Sequence, residues 1–362
     1  MKEAGLKLIK EINDHGFEAY IVGGFVRDYI LGIESNDIDI CTSATPMDVK
    51  NIFEDSCTTN DDYGSVIVTK WGIKFEITTY REEISYTNNR KPDEIRYVDN
   101  LYKDLLRRDF TINSICMNGS GEIIDLLDGR YDLNRKVISS IGDCYIKFEE
   151  DCLRILRAIR FATVLDFELD DEIKLAILNK KHLLKNLSYN RKKEELDKIF
   201  SSSNCKKGIN LLLDLGLDKE LELNKLKDIV YTDDLVAVWS VLNVSTYPFS
   251  SSEKKLFKDI NEALKHNNLD PMILYKYGLY VNSVAGSIKG IDKKKIAEGY
   301  NNIRLHTKKD LDVTCDELVE VLGGKTGSYL GTVYDEIIHA ILYGKINNNK
   351  EEILKYVVDR FN

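Results

Sequence analysis

The spacing of apolar positions changes character near residue 140. Before it, short apolar runs and alternations dominate: Tyr20-Ile21-Val22, Asp37-Ile38-Asp39-Ile40, Val66-Ile67-Val68-Thr69 and Ile73-Lys74-Phe75-Glu76-Ile77-Thr78. These predict strands, and Trp71-Gly72 between the last two predicts a hairpin. Leu6, Leu8, Ile9 and Ile12 give residues 2–14 the stripe of an amphipathic helix. Thr45-Pro46 supplies a cap and a first-turn proline for a helix running to about Phe53. Residues 107–115 are expected to enter a strand and 123–125 to form another. The polar, aperiodic stretch 82–100 exceeds an ordinary connection, and residues 86–92 are expected to be a mobile loop. Residues 1–137 therefore read as an α/β domain on a small mixed or antiparallel sheet.

After about 140 strand-like runs nearly vanish. Helices are predicted over 149–162, 170–179, 192–200, 207–213, 223–229 and 235–241, with a break around Pro248 at 246–252. They resume over 253–265, after Asp270-Pro271, and over 316–322, 334–342 and 351–358. The fold class is α+β: a sheet-bearing N-terminal head and an all-helical remainder.

The chemistry gathers between residues 20 and 41. A strand ends in Gly23-Gly24, a short helix follows up to Gly32, and Asp37-Ile38-Asp39 comes next. Period-2 alternation puts Asp37 and Asp39 on one face, where they repel each other and gain nothing for folding. A divalent cation, Mg2+ first, relieves that repulsion. Glycines without Cβ let a phosphate approach backbone N–H groups, and the helix behind them aims its N-terminus the same way. The combination reads as a nucleoside triphosphate held at a glycine turn with metal at its phosphates. Glu76, on a neighbouring predicted strand, is a candidate third carboxylate, against the plainer reading of a solvated strand glutamate.

Composition removes several alternatives. The five histidines are dispersed, so histidine acid/base chemistry, a histidine zinc site and a His-Asp phosphohydrolase are not expected. The seven cysteines lack any Cys-x-x-Cys, which suits free thiols in a reducing cytoplasm. No run approaches the roughly 18 apolar residues of a membrane span, and the N-terminus has no apolar signal core. Gly323-Gly324-Lys325-Thr326 is not a phosphate-binding loop, because Val319 stands where that pattern needs glycine. Net charge is −9, yet basic clusters occur at Arg107-Arg108, Arg154/Arg157/Arg160, Arg191-Lys192-Lys193 and Lys293-Lys294-Lys295. A nucleic-acid enzyme needs a local basic track, not a basic total.

Asp151 and Arg154 stand three residues apart and are expected on one face of the 149–162 helix, at least as an intrahelical ion pair. A carboxylate and a guanidinium can also read a base. Cytosine and adenine both offer an amino donor beside a ring acceptor, which Asp and Arg can satisfy. Guanine and uracil reverse that pattern and leave buried polar groups unpaired. The pair permits a pocket that accepts C and A and rejects G and U.

Val22-Gly23-Gly24-Phe25-Val26-Arg27-Asp28, Asp37-Ile38-Asp39, residues 76–81, Arg107-Arg108-Asp109-Phe110-Thr111-Ile112-Asn113, residues 148–161 and residues 191–196 together resemble class II tRNA nucleotidyltransferases, the CCA-adding enzymes and their bacterial poly(A) polymerase relatives. Gly327-Ser328-Tyr329-Leu330-Gly331 looks like the family's tail. Ser114 departs from the alanine common there. The resemblance implies a head (1–137), a helical neck (138–200), a body (201–270) and a tail (271–362) that grips the acceptor arm of tRNA. It implies that Asp37 and Asp39 bind metal, and that Gly23, Gly24, Arg27, Arg108 and Asp109 contact the nucleotide. Asp151 and Arg154 would read the incoming base, supported by Arg157. Glu150 would anchor the reading helix, with Arg191 and Glu195 bracing it, and the 82–92 loop would help choose the second base type. The implied reaction adds CCA to the tRNA 3′ end from CTP and ATP, by a monomer or weak homodimer in the cytoplasm. An A-adding specialist, a poly(A) polymerase and a non-catalytic RNA-binding relative remain the alternatives.

Overall fold

The computed structural model describes residues 1–60, 64–87, 91–229 and 234–361, and forms two compact units, Met1–Leu226 and Lys227–Asn362. The expected 201–270 body straddles that division.

The first unit opens with α1 (Lys2–Asp14), β1 (Ala19–Val22), α2 (Gly24–Leu31), β2 (Ile38–Thr42) and α3 (Pro46–Ile52). Then come β3 (Cys57–Asn60), β4 (Ser65–Lys70), β5 (Ile73–Thr79), β6 (Arg81–Thr87), β7 (Lys91–Tyr97) and α4 (Leu101–Leu106). The head sheet has the order β3-β4-β5-β2-β1-β8-β9, where β8 is Cys116–Met117 and β9 is Ile123–Ile124. The β2–β5 pair is parallel and the others are antiparallel, so the sheet is mixed. Alternation sorts its two faces. Ile21, Ile38 and Ile40 bury one face, with Leu8, Ile9 and Ile12 of α1 also fully buried. Val22, Cys41 and Cys116 pack on the other face with Tyr80 and with Leu101 and Leu105 of α4. Asp39 has the parity of Cys41, which puts it on the α4 side.

Three expectations are corrected here. The stretch expected as a mobile loop, 86–92, falls within residues 81–97, whose described residues are largely strand. They form the antiparallel hairpin β6–β7, with Arg81 paired to Tyr97 and Thr87 to Lys91; residues 88–90 lie outside the described residues. Residues 107–115 are not strand themselves and reach one only at β8. Ser114 Oγ donates to the Thr111 carbonyl at 2.7 Å and Asn113 Nδ2 donates to Asp109 at 3.1 Å, and these local bonds draw Thr111–Asn113 into a 3-10 turn before β8. The 149–162 helix is two helices, treated with the site below.

The head continues through α5 (Gly129–Arg135) and β10 (Val137–Ile138). The neck follows as α6 (Cys144–Glu150), α7 (Leu153–Val164), β11 (Glu168–Leu169), α8 (Asp171–Lys180), α9 (Tyr189–Phe200), α10 (Cys205–Asp214) and α11 (Leu217–Glu220). Ile155, Leu156, Ala158, Ile159 and Ala162 bury one side of α7, leaving Arg154, Arg157 and Arg160 on another.

The second unit contains α12 (Leu235–Leu242), α13 (Ser251–Ala263), α14 (Pro271–Ile288), α15 (Lys293–Asn302), α16 (Cys315–Val321), α17 (Ser328–Leu342) and α18 (Lys350–Phe361). Asp270 caps α14 ahead of its first-turn proline. Gly278, at φ 73°, kinks that helix. Buried Asn282 donates to the Ile273 and Gly278 carbonyls exposed by the kink and accepts from Asn268.

Gly129 fixes the segment that carries the head's arginines. A Cβ at that position would stand 2.3 Å from the Thr111 carbonyl oxygen and 2.7 Å from Ile115 Cγ1. Gly129→Ala should therefore destabilise the first unit by about 1–3 kcal/mol. Urea unfolding should show a lower midpoint at an unchanged slope.

Candidate active site

The cavity at the end of the head sheet has a volume of about 450 Å³ and is lined by the Gly23-Gly24 turn, both motif aspartates, and arginines of the head and of α7. Gly23 sits at φ 78°, ψ −135°, a conformation open to glycine alone. A Cβ there would lie 3.8 Å from Asp39 Oδ2 and 3.9 Å from an Arg108 nitrogen, filling the cradle. The expected run of turn, helix N-terminus and carboxylate pair is present.

Asp39 lies in β2, while Asp37 immediately precedes the strand, which begins at Ile38. Glu76 is the register partner of Asp39 on the parallel strand β5. Burial pushes the Asp39 carboxyl above its usual range, and the charge of Glu76 pushes the same way; Arg108 opposes both. Among the described residues, no three His, Cys, Asp or Glu side chains converge to hold a metal by themselves. Two adjacent carboxylates with open coordination suit an ion that takes its remaining oxygens from substrate phosphates.

The head arginines are held from below. Asp104, fully buried in α4, accepts from Arg107 Nε at 2.8 Å and from an Arg108 terminal nitrogen at 3.0 Å. Desolvation works against the Asp104 charge, but Arg108 and Arg107 outweigh it and keep the carboxyl below its usual range. Arg108 therefore enters the cavity already oriented. Sequence reading missed Asp104; its signal was the i, i+3 and i, i+4 spacing to Arg107 and Arg108.

Asp109 joins the head to α7. Its carboxylate accepts from the Phe110 amide at 2.8 Å, from Asn113 Nδ2 at 3.1 Å and from Arg157 Nε at 2.7 Å. Burial alone would raise this carboxyl; Arg157 and the hydrogen bonds reverse that and hold it at about 2. Asn113 in turn accepts from Arg27 at 2.7 Å, and Arg27 also pairs with Asp28. Arg27 lines the cavity, but these bonds give it a bracing part alongside any contact with a nucleotide. Arg27, Arg157 and Arg160 surround the Phe161 ring, with Arg160 nearest at 4.2 Å from its centroid.

The expected base-reading pair is arranged differently from expectation. α6 ends at Glu150, Asp151 is extended at φ −141°, ψ 100°, and α7 starts at Leu153. Asp151 and Arg154 therefore do not share one helical face. Asp151 Oδ1 accepts from the Leu153 amide at 3.0 Å and so caps α7. Both side chains still line the cavity. Burial pushes the Asp151 carboxyl up to about 6, although Arg154 and Arg157 pull the other way. Arg154 donates to Glu150 at 2.8 Å, to the Lys147 carbonyl at 3.1 Å and to the Arg107 carbonyl at 2.9 Å. Glu150 thus anchors the arginine itself.

Bracing from α9 comes through Glu195, which meets Arg160 of α7 at 2.7 Å. Arg191 does not share that part: it is exposed and pairs with Glu194 on its own helix. Glu83 of β6, also missed in the sequence, stands 3.7 Å from Arg107 and 4.0 Å from Arg154 and brings the hairpin to the cavity wall.

Three family models match the chain: the poly A polymerase head domain over residues 19–139, the probable RNA and SrmB-binding site of polymerase A over 166–225, and tRNA nucleotidyltransferase domain 2 (putative) over 237–357. The CCA-adding enzyme of Ligilactobacillus salivarius is 31% identical, over 97% of this chain and 94% of its own length. That of Bacillus pumilus is 33% identical, over 97% and 96%. The crystal structure of the Bacillus stearothermophilus CCA-adding enzyme in complex with CTP aligns at a TM-score of 0.87 and 28% identity, covering 98% of this chain and 96% of that one. With relatives this similar along almost its whole length, and a solved relative on the same fold, the chain belongs to the CCA-adding enzyme family of tRNA nucleotidyltransferases.

Proposed function

We propose that the cavity binds CTP and ATP in turn and transfers CMP, CMP and AMP to the 3′ end of tRNA, releasing pyrophosphate. The observation that carries this reading is one cavity lined both by the metal-type carboxylates Asp37 and Asp39 and by the carboxylate–guanidinium pair Asp151 and Arg154. The triphosphate lies against Gly23, Gly24 and Arg108, and the base meets Asp151 and Arg154. The attacking 3′-oxygen bonds to the α-phosphorus as the bond to the pyrophosphate oxygen breaks. Asp37 and Asp39 would hold Mg2+, which when bound would supply charge to acidify the 3′-hydroxyl and steady the leaving pyrophosphate. Glu76 borders this end of the site. Divalent metal is the general requirement of the family's enzymes. The helical body and tail grip the acceptor arm by backbone and shape, as double-stranded RNA requires. No helix among the described residues is long and apolar enough to cross a membrane. The enzyme acts in the cytoplasm as a monomer or weak homodimer.

The direct test offers four tRNAs, ending before CCA, after C, after CC and after CCA, with CTP, ATP or both. Completion of CCA from the bare end, stopping there, is expected. Extension of the CC end alone, with ATP, would make this an A-adding specialist.

Asp39→Ala should lower transfer by at least about 10³-fold, on the order of 4 kcal/mol of transition-state stabilisation. Filter binding of tRNA should be nearly unchanged, and retention of a tenth of the activity would overturn the assignment.

Asp151 supplies a pH signature. Its folded-state carboxyl, raised to about 6, holds a proton that the unfolded chain has released above the ordinary 3.8. Asp151 therefore favours the folded state more as pH falls from 6 towards 4, while losing the acceptor that cytosine and adenine amino groups need. Calorimetric CTP affinity should weaken as pH drops through about 6. In Asp151→Asn that component should vanish, leaving only the titration of the nucleotide's own phosphate.

A further inference from the structure

We propose that Lys147 is a positioning residue for base selection, setting the direction of Arg154 by holding Glu150 and by tying the α6–α7 break to the end of α4. This rests on the reading of Arg154 as a base-reading group.

Lys147 lies on α6, three residues before Glu150. Its Nζ donates to the Leu106 carbonyl at 2.9 Å and stands 3.5 Å from Glu150 Oε2. That same oxygen accepts from Arg154 at 2.8 Å. The backbone carbonyl of Lys147 accepts a further bond from the same Arg154 nitrogen at 3.1 Å. The other terminal nitrogen of Arg154 donates to the Arg107 carbonyl, next along the chain from Leu106. Lys147 and Arg154 thus dock side by side on the C-terminal carbonyls of α4, where cations are favoured.

The arrangement restrains Arg154 from two sides. Glu150 Oε2 is shared between two cations. Without the ammonium, the carboxylate is held by Arg154 alone and can swing with it, so the guanidinium keeps its two carbonyl acceptors but loses the fixed carboxylate that completes its orientation. The Leu106 carbonyl loses a partner at the same time, at the turn leading into Arg108 and Asp109. Surroundings match a positioning part: the Lys147 side chain is only 14% exposed, and burial lowers its pKa, with Arg154 acting the same way and Glu150 opposing. A surface lysine kept for solubility would have none of these contacts.

The test uses the full chain with tRNA lacking CCA and compares kcat/KM for CTP and UTP. Lys147→Met keeps the aliphatic stem and removes the charge. It should lower CTP-over-UTP discrimination by about 10-fold or more, with misincorporated UMP visible at single-nucleotide resolution. Lys147→Arg should restore discrimination to within about 3-fold of the parent, because a guanidinium can still bridge the carbonyl and the carboxylate. The double variant Lys147→Met/Glu150→Gln should discriminate no worse than the poorer single variant, since both break one chain of contacts. If Lys147→Met is insoluble, Lys147→Gln tests the same point, keeping a donor for Leu106 without the charge. Equal losses for CTP and UTP, with discrimination unchanged, would overturn the proposal. A parent protein that adds no CMP at all would instead overturn the underlying function.

Discussion

The buried carboxylate of Asp109 is the constraint on which the site depends. Taking a charge out of water is expensive, and Asp109 remains ionised because Arg157, Asn113 and its own neighbour's amide all donate to it. Arg157 belongs to the neck and the other donors to the head, so the carboxylate is compensated only while the two are docked. Asn113 passes the restraint to Arg27 at the root of the glycine turn. One charge thus fixes the distance between the triphosphate end of the cavity and the base end.

The same device recurs around the cavity wall. Asp104 holds Arg107 and Arg108, Glu150 holds Arg154, and Glu195 holds Arg160. Each carboxylate is protein-borne, so the guanidiniums are oriented before any nucleotide enters. A polyphosphate then meets fixed donors and need not reorganise them, which is where electrostatic catalysis finds most of its advantage. It also explains how a chain of net charge −9 presents a cationic pocket. The acidic partners sit behind the arginines, while Asp37 and Asp39 line the same cavity, Asp39 beside Arg108 at the glycine turn.

What the sequence disclosed follows the range of the interaction. Gly23, Asp37 and Asp39 were legible because turn and strand chemistry is local, and alternation placed Asp39 on the correct face. The β4–β5 hairpin was announced by Trp71-Gly72, both at positive φ. The β6–β7 hairpin was not, because its strands are polar and their pairing partners lie up to sixteen residues apart in the chain. The 3-10 turn at Thr111–Asn113 was masked by strand-like residues whose side chains bond their own backbone. Glu83 was overlooked because its arginines reach it only through the fold, whereas Asp104 carried a local signal in its i, i+3 and i, i+4 spacing to Arg107 and Arg108. Arg191 and Glu195 were both expected to brace the reading helix; Glu195 meets Arg160, while Arg191 pairs with Glu194 on its own helix. Glu195 is buried against Arg160 of α7, whereas Arg191, on the same face but one turn nearer the start of the helix, is exposed.

The break at Asp151 shows why a departure from the simplest reading can serve the chemistry. In an unbroken helix, Asp151 and Arg154 would lie on one face and neutralise each other as an ordinary i, i+3 pair. The extended backbone at Asp151 turns adjacent side chains in different directions. Glu150 can then hold Arg154 while Asp151, next to it in the chain, presents its carboxylate to the cavity. A base-reading site needs an acceptor and a donor that are close but not already paired with each other. The two-residue interruption supplies that condition, and the cap from Asp151 to the Leu153 amide keeps it from closing into one helix.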